Sequence, residues 1–211
     1  MRATSWRLAS IAITATINIA LLSYINSAAA NSNTNTWQAL KNGNHVVLLR
    51  HTETVPGIGD PTNFKLGDCA TQRNLNQAGR DHARAWGKAF AANGVAIGGV
   101  FSSAWCRCIN TATLAFGRTD TWPALNSHFE SPQFANLQAE QVKGGVPARM
   151  QKGKVLVLVT HQVNISAITG VTPMMGEAVV MKLTDKSFSV VGTLTVNRLK
   201  AEKLKAQQGR L

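Results

Sequence analysis

The sequence predicts an α/β domain with a mainly parallel sheet. Two runs rich in Val and Leu, His45–Leu49 and Lys154–Thr160, have the composition of buried strands. Segments with helical spacing alternate with such runs, and this alternation is typical of sheets whose strands are connected by helices. The chain has 211 residues, 45% of them hydrophobic, which is enough for one domain with a core plus a terminal extension.

The first 30 residues have the layout of a secretory signal peptide. Arg2 and Arg7 precede a largely apolar segment, Leu8–Ile25, and Ala28–Ala30 supplies a small-residue cleavage site. An uncleaved membrane anchor is the alternative, because the apolar run approaches the length of a membrane span. We expect cleavage after Ala30, a periplasmic or secreted location, and no stable membrane span in the mature chain.

The rest of the chain divides into a polar linker and short helix at 31–43, a folded domain at 44–198 and a basic C-terminal tail at 199–211. Substrate specificity is expected to come from loops such as Val55–Cys69 and Pro123–Lys152. The expected helices are Trp37–Lys41, Asn76–Asn93, Ala104–Phe116 and Gln162–Thr169. The other expected strands are Gly99–Ser102, Glu177–Leu183 and Ser187–Val196, the last two joined by a turn at Asp185-Lys186.

The chain is strongly basic. Its formal net charge is +12, and it falls to +10 without residues 1–30, since these contain two Arg and no acidic residue. Such a charge favours nucleic acid, anionic lipid or a phosphorylated substrate as partner. The sequence contains no recognisable nucleic-acid-binding module, so no nucleic-acid partner is expected. The cationic tail from Arg198 to Arg210 is interpreted as a solvated helix end.

Three cysteines, Cys69, Cys106 and Cys108, allow one disulfide in an oxidising compartment. Cys106 and Cys108 are two residues apart on a predicted helix, so their side chains diverge. We therefore expect Cys69 to pair with one of these two. The four-ligand Cys/His spacing of a zinc site is absent, and no metal site is expected.

Polar residues follow three of the predicted strands directly. Ligands of open α/β sheets bind beyond the carboxyl ends of the strands, so these residues are expected to meet at one sheet edge. Arg73 is also expected there, because the 55–75 loop leaves the same strand end as the first group. The three groups are Arg50-His51, Ser102-Ser103 with Arg107 one turn later, and Thr160-His161.

Two His and two Arg at one edge indicate phosphoryl chemistry. Arg guanidinium groups bind phosphate oxygens bidentately and remain charged. A neutral His can attack phosphorus and form a phosphohistidine, and a second His can donate to the oxygens as their charge develops. The helix starts after Ser103 and His161 would add backbone N–H donors.

Four segments, in order and spacing, resemble the histidine phosphatase (phosphoglycerate mutase-like) superfamily. The likeness extends from about residue 44 to 196. The segment at 48–53, Leu-Leu-Arg-His-Thr-Glu, is similar to the family's Leu-x-Arg-His-Gly/Ala-Glu signature, with Thr52 where Gly or Ala is usual. The other three are Ser102 to Ala112 with Arg107, Arg73 to Gly79, and Val159-Thr160-His161 with Ile165.

The resemblance implies a three-layer α/β/α sandwich in which His51 is the nucleophile. It also implies that Arg50, Arg107 and His161 surround the phosphate and that no metal or organic cofactor takes part. Family members often carry a Glu after the strand that follows the Arg helix. In this chain the only carboxylate of that region, Trp122–Pro132, is Glu130.

A general acid is required to protonate the leaving oxygen of a phosphate ester. Glu130 is the first candidate, Asp60 the second and Glu53 the third. Each of them would otherwise be a solvated surface carboxylate. Gln162 and Asn164, which follow His161, are further candidates for orienting groups in the pocket.

The sequence thus predicts an exported phosphatase that hydrolyses small-molecule or envelope phosphomonoesters through a phosphohistidine on His51. One alternative is an envelope protein that binds phosphate without turnover. Another is a phosphoglycerate mutase-type phosphotransferase, which an export signal disfavours. The Cys-x5-Arg loop of cysteine phosphatases, a P-loop and a G-x-S-x-G elbow are all absent from the sequence.

Overall fold

Six strands form one mixed sheet in the computed structural model, which describes residues 33–184 and 187–196. The strands are β1 (His45–Arg50), β2 (Ile97–Ser102), β3 (Asp120–Thr121), β4 (Val155–Thr160), β5 (Ala178–Leu183) and β6 (Phe188–Leu194). The sheet order is β3-β2-β4-β1-β5-β6, with the first four strands parallel and β5 and β6 added in antiparallel pairs. The expectation of a mainly parallel sheet is confirmed.

Helices cover both faces of this sheet, which confirms the three-layer α/β/α architecture. The helices are α1 (33–41), α2 (Gln77–Ala92), α3 (Cys106–Phe116), α4 (Ala135–Gly145) and α5 (Gln162–Thr169). α1, α2 and α3 pack on one face against Val47 and Leu49 of β1, and α4 and α5 pack on the other against Val46 and Leu48. β4 is buried along its whole length, which explains why its sequence is an unbroken apolar run.

Asn76 begins α2 as the sequence predicts. Its side-chain oxygen accepts a hydrogen bond from the N–H of Gly79 at 2.8 Å, which satisfies one of the free donors of the first turn. Gly79 lies so close to the backbone of Glu53 that a Cβ there would overlap it. This contact explains why position 79 is a glycine, because α2 starts directly against the chain that leaves β1.

Two segments differ from the sequence prediction. Residues 33–35, expected in the linker, already belong to α1, whose Trp37 packs against Trp86 and Phe90. The Pro123–Lys152 segment, expected to be a loop, contains α4. α4 lacks a side-chain cap at its start, ends in two glycines and buries only Ala139 and Val142. Its sequence therefore carries little of the periodicity that reveals a helix.

A disulfide joins Cys69 to Cys106 and leaves Cys108 as a buried free thiol. The prediction that Cys69 pairs with one of the two helix cysteines is confirmed, and the partner is the residue that starts α3. The bridge ties the long loop after β1 to the helix that carries Arg107.

No helix within 33–184 or 187–196 has the length and apolar character needed to cross a bilayer. The expected signal peptide, the turn at Asp185-Lys186 and the C-terminal tail at 199–211 lie outside the described residues.

We predict that Gly87→Ala destabilises the fold, because Gly87 of α2 lies directly against the backbone of α3. A Cβ on Gly87 would overlap the carbonyl oxygen of Ala115, and overpacking of this kind costs about 1–3 kcal/mol. Gly144→Ala is the matched control, since a Cβ there meets nothing within 4 Å. It should leave the free energy of unfolding unchanged or raise it by up to about 1 kcal/mol. Urea denaturation measures both, and equal effects would contradict the predicted contact.

Candidate active site

A cavity of about 480 Å³ lies at the carboxyl ends of β1, β4 and β2. These strands are neighbours in the sheet, so the residues that follow them converge, as expected for an open α/β sheet. All six predicted site residues line this one cavity: Arg50, His51, Arg73, Arg107, Glu130 and His161.

His51 lies at the floor of the cavity with one nitrogen already engaged. Its Nδ1 is 2.9 Å from the carbonyl oxygen of Thr52. A carbonyl oxygen can only accept, so Nδ1 carries the proton and Nε2 keeps its lone pair. Burial, with smaller contributions from Arg107, Arg50 and Arg73, lowers the pKa of His51 to about 3. His51 is therefore neutral at physiological pH, the state in which an imidazole is nucleophilic.

His161 faces His51 across the cavity floor, with ring centroids 5.6 Å apart. Its Nε2 lies 2.8 Å from the hydroxyl of Ser103. Burial, followed by the charges near it, holds the pKa of His161 well below its usual value. The second His is thus also neutral, and the Ser103 hydroxyl orients its ring.

Arg107 forms a buried ion pair with Asp60. Nη1 of Arg107 lies 2.8 Å and 3.0 Å from the two carboxylate oxygens, and both side chains are nearly inaccessible to solvent. Asp60 also accepts from the backbone N–H of Arg73 at 2.9 Å and from Nε1 of Trp105 at 2.9 Å. The pKa of Asp60 is lowered by these hydrogen bonds and by Arg107, although burial alone would raise it.

Arg50 and Arg73 complete a group of three cations. Arg50 donates through Nη1 to the carbonyl of Pro173 at 2.9 Å, and Arg73 donates through Nε to Gly59 at 2.7 Å. Burial and then the neighbouring guanidinium groups lower the pKa of both side chains. In the described residues Asp60 is the one carboxylate paired with this group, so the cavity floor keeps a net positive charge that suits an anion.

The three candidates for the general acid occupy different places. Glu53 lies off the cavity and pairs with Nδ1 of His82 at 3.0 Å. Asp60 lines the cavity, but Arg107 keeps its carboxylate ionised. Asp60 is therefore disfavoured as the general acid. Glu130 lines the mouth of the cavity and is exposed. Of the three, Glu130 is the one that both lines the cavity and has a carboxylate not paired with a guanidinium group.

Thr111 is a supporting residue whose role the sequence alone did not indicate. Its hydroxyl accepts from the backbone N–H of Thr52 at 3.2 Å and donates to the carbonyl of Arg107 at 2.7 Å. It thereby links the residue after His51 to the helix that carries Arg107. Its position one turn after Arg107, on the same face of α3, is the signal that would have revealed it.

Asn164 and Gln162 have separate roles. Asn164 donates to the carbonyl of Asn126 at 2.8 Å, and the side-chain oxygen of Asn126 accepts from the N–H of Ala104. Gln162 lines the cavity itself. Asn164 thus helps to hold together the loops behind His161, whereas Gln162 is placed to contact a ligand.

Cys108 is not equipped to act as a nucleophile, although its sulfur lies 3.5 Å from Nε2 of His161. Burial raises the pKa of this thiol to about 12. The thiolate is the reactive form of cysteine, and it is scarcely populated at neutral pH. Cys108 therefore serves as a small core residue beneath the site.

Solved structures share the fold of this chain but resemble it only weakly in sequence. Phosphoserine phosphatase of Entamoeba histolytica in complex with 3-phosphoglyceric acid has a TM-score of 0.56 at 12% identity, covering 74% of this chain and 98% of that one. The protein histidine phosphatase SixA complexed with tungstate has a TM-score of 0.54 at 13% identity, covering 74% and 99%. The chain has the phosphoglycerate mutase-like fold of histidine phosphatases.

A third structure with this histidine phosphatase fold is the mycobacterial glucosyl-3-phosphoglycerate phosphatase. Its TM-score is 0.55 at 11% identity, and the match covers 72% of this chain and all of that one. No family model and no curated protein matches the sequence. The likeness therefore establishes the fold, and the function has to be argued from the residues of the cavity.

We predict that His51 stays neutral and protonated at Nδ1 from pH 8 to pH 5. Nitrogen-15 NMR of the imidazole rings measures both properties, with the urea-unfolded chain as the control in which His titrates near pH 6.5. A midpoint near 6.5 in the folded protein, or an Nε2–H tautomer, would contradict the site geometry. Because the unfolded chain binds this proton and the folded chain does not, the free energy of unfolding should fall as pH drops from about 6.5 towards 3.

We also predict that Asp60→Ala lowers the free energy of unfolding by about 3–5 kcal/mol, because it leaves the buried charge of Arg107 without its partner. Asp81→Ala is the control. Asp81 pairs with Arg84 at 3.0 Å, but both side chains are more than two-fifths exposed, and exposed pairs contribute at most about 1 kcal/mol. Chemical denaturation compares the two variants. A loss for Asp60→Ala no larger than that for Asp81→Ala would show that the buried pair does not anchor the loop.

Proposed function

We propose that this protein is a phosphomonoesterase that forms a phosphohistidine on Nε2 of His51. The observation that carries the proposal is the state of His51: a buried neutral imidazole, with Nδ1 tied to Thr52, in a cavity lined by three Arg and a second His. This arrangement combines a nucleophile with groups that bind the three oxygens of a phosphoryl group.

In the first step, Nε2 of His51 attacks phosphorus, the N–P bond forms and the P–O bond to the alcohol breaks. Arg50, Arg107 and His161 bind the phosphoryl oxygens. Their positions are set before the substrate arrives, since Nη1 of Arg107 is fixed by Asp60 and Nη1 of Arg50 by Pro173. Preorganised donors of this kind stabilise developing charge without reorganisation during the reaction.

Glu130 supplies the proton that the departing alkoxide takes up. In the second step a water attacks the phosphohistidine, its proton passes to the Glu130 carboxylate, and the N–P bond breaks to release phosphate and restore His51. The exposed position of Glu130 at the mouth supports this role, because the leaving group departs on the side opposite the nucleophile.

We further propose that the protein acts outside the cytoplasm, on small-molecule or envelope phosphomonoesters. The signal-peptide pattern of residues 1–30 and the Cys69–Cys106 disulfide support this location. The positive charge of the chain would favour encounter with phosphorylated molecules.

A second candidate function is phosphate binding without turnover. The floor of the cavity favours it, because three guanidinium groups and two imidazoles would bind phosphate whether or not an acid reaches the leaving oxygen. Titration calorimetry with inorganic phosphate beside an activity assay distinguishes the two functions. Phosphate binding with no hydrolysis of any phosphomonoester would favour this second candidate.

We predict that His51→Ala lowers phosphatase activity by about 10³-fold or more, as loss of a catalytic nucleophile does. Rapid acid-free quenching with a ³²P-labelled substrate should trap label on the wild-type protein and none on the variant, which should unfold cooperatively like the parent. Retention of most activity in His51→Ala would overturn the assignment. Transfer of label to a second alcohol in place of release as phosphate would indicate a phosphotransferase.

Hydrolysis rates of two substrates whose leaving groups differ in pKa test the role of Glu130. Glu130→Gln should slow hydrolysis of an alkyl phosphate by about 10²–10⁴-fold, the usual contribution of a general acid. It should affect 4-nitrophenyl phosphate much less, since 4-nitrophenolate leaves without protonation. Glu140→Gln, on α4 with an exposed side chain, is the control. An equal effect of Glu130→Gln on both substrates would exclude the acid role.

A further inference from the structure

The cavity is larger than a phosphoryl group requires. Its volume of about 480 Å³ lies in the range of pockets that enclose whole small molecules. The charged floor, with His51 and the three Arg, occupies only its inner part. The remainder, the mouth, is lined by six apolar residues and by Ser127, Glu130, Ser131 and Gln162. The apolar residues are Ile58, Phe64, Trp105, Phe129, Val163 and Met175.

Two of these apolar residues are exposed to an unusual degree. Ile58 is 91% exposed and Phe129 is 56% exposed, and they lie on separate segments that both border the cavity. Large apolar side chains grouped at the rim of a cavity mark a binding surface more often than a solvated one.

Trp105 and Phe64 form a firm wall between the floor and this rim. Their ring centroids are 5.7 Å apart, and Nε1 of Trp105 donates to Asp60 at 2.9 Å. Because its one polar group is already engaged, Trp105 presents only apolar surface to a ligand. A wall fixed in this way favours binding of an apolar group, since little side-chain entropy is lost when the ligand enters.

We propose that the mouth selects phosphomonoesters whose organic part is apolar, an alkyl or aryl group rather than a sugar or an amino acid. The inference rests on the proposed function, because in-line attack by His51 from the floor directs the leaving group outward. The leaving group then passes between Ile58 and Phe129 and along Trp105. Preference for a polar leaving group, through Ser127, Ser131 and Gln162, is the opposing outcome of the test.

Binding of n-alkylphosphonates to the full chain tests the proposal without depending on turnover. Titration calorimetry with methyl-, propyl- and hexylphosphonate keeps the charged group constant and changes only the apolar area. The affinity should rise with chain length, by up to about fourfold for each CH₂ that is fully buried. Hydrolysis of the matching n-alkyl phosphates, whose leaving groups have similar pKa values, should show the same rise in kcat/KM.

Ile58→Ser and Phe129→Ser should each flatten the dependence on chain length, seen as a smaller ratio of hexylphosphonate to methylphosphonate affinity. Val191→Ser is the control, since Val191 is an exposed apolar residue of β6 that does not line the cavity. It should retain the parent ratio. A flat series in the parent protein, or tighter binding of 6-hydroxyhexylphosphonate than of hexylphosphonate, would overturn the inference. A rising series without hydrolysis of any ester would leave the apolar site standing and overturn the phosphatase function alone.

Discussion

The parallel pairing of β1, β4 and β2 places Arg50 and the two imidazoles that the proposed chemistry needs. Arg50 pairs with Thr160 and Ser102 pairs with Val159, so the three strands end at the same level of the sheet. The residues that follow, His51, His161 and Ser103, therefore emerge side by side. A shift of this register would separate the two imidazoles and leave the guanidinium groups without a common centre.

The second constraint is the attachment of the loop after β1 to the start of α3. The Cys69–Cys106 disulfide, the hydrogen bond from the N–H of Cys106 to Gln72 and the Asp60–Arg107 ion pair all join these two segments. Long loops lose much conformational entropy when they are ordered, so several attachments are needed to hold Arg73 and Asp60 at the cavity. A buried ion pair adds little net stability by itself. In this site it fixes the orientation of the Arg107 guanidinium group.

Electrostatics and burial act together at the floor of the cavity. Burial makes His51 and His161 neutral, and the nearby guanidinium groups reinforce this effect. The same guanidinium groups repel one another, and Asp60 offsets part of the repulsion. An entering phosphoryl group would offset the rest, which favours an anion as the ligand of this cavity.

The sequence by itself determined the α/β class, the start of β1, the end of β4, both ends of α5, the Asn76 cap and the convergence of Arg50, His51, Arg107 and His161. These features are local, because neighbouring residues specify strands and helix caps. A polar pair after an apolar run marks the end of a strand. The sequence did not predict α4, because this helix buries only Ala139 and Val142 and is therefore weakly amphipathic.

Only the tertiary structure decided which cysteine Cys69 joins and what Asp60 does. Asp60 reaches Arg107 across 47 positions of sequence, and no local pattern distinguishes such a carboxylate from a solvated one. The apolar mouth arises in the same way, because Ile58, Trp105 and Phe129 come from three distant segments. Chain folding alone brings them around His51, whose identity as the candidate nucleophile was already evident from the residues beside it.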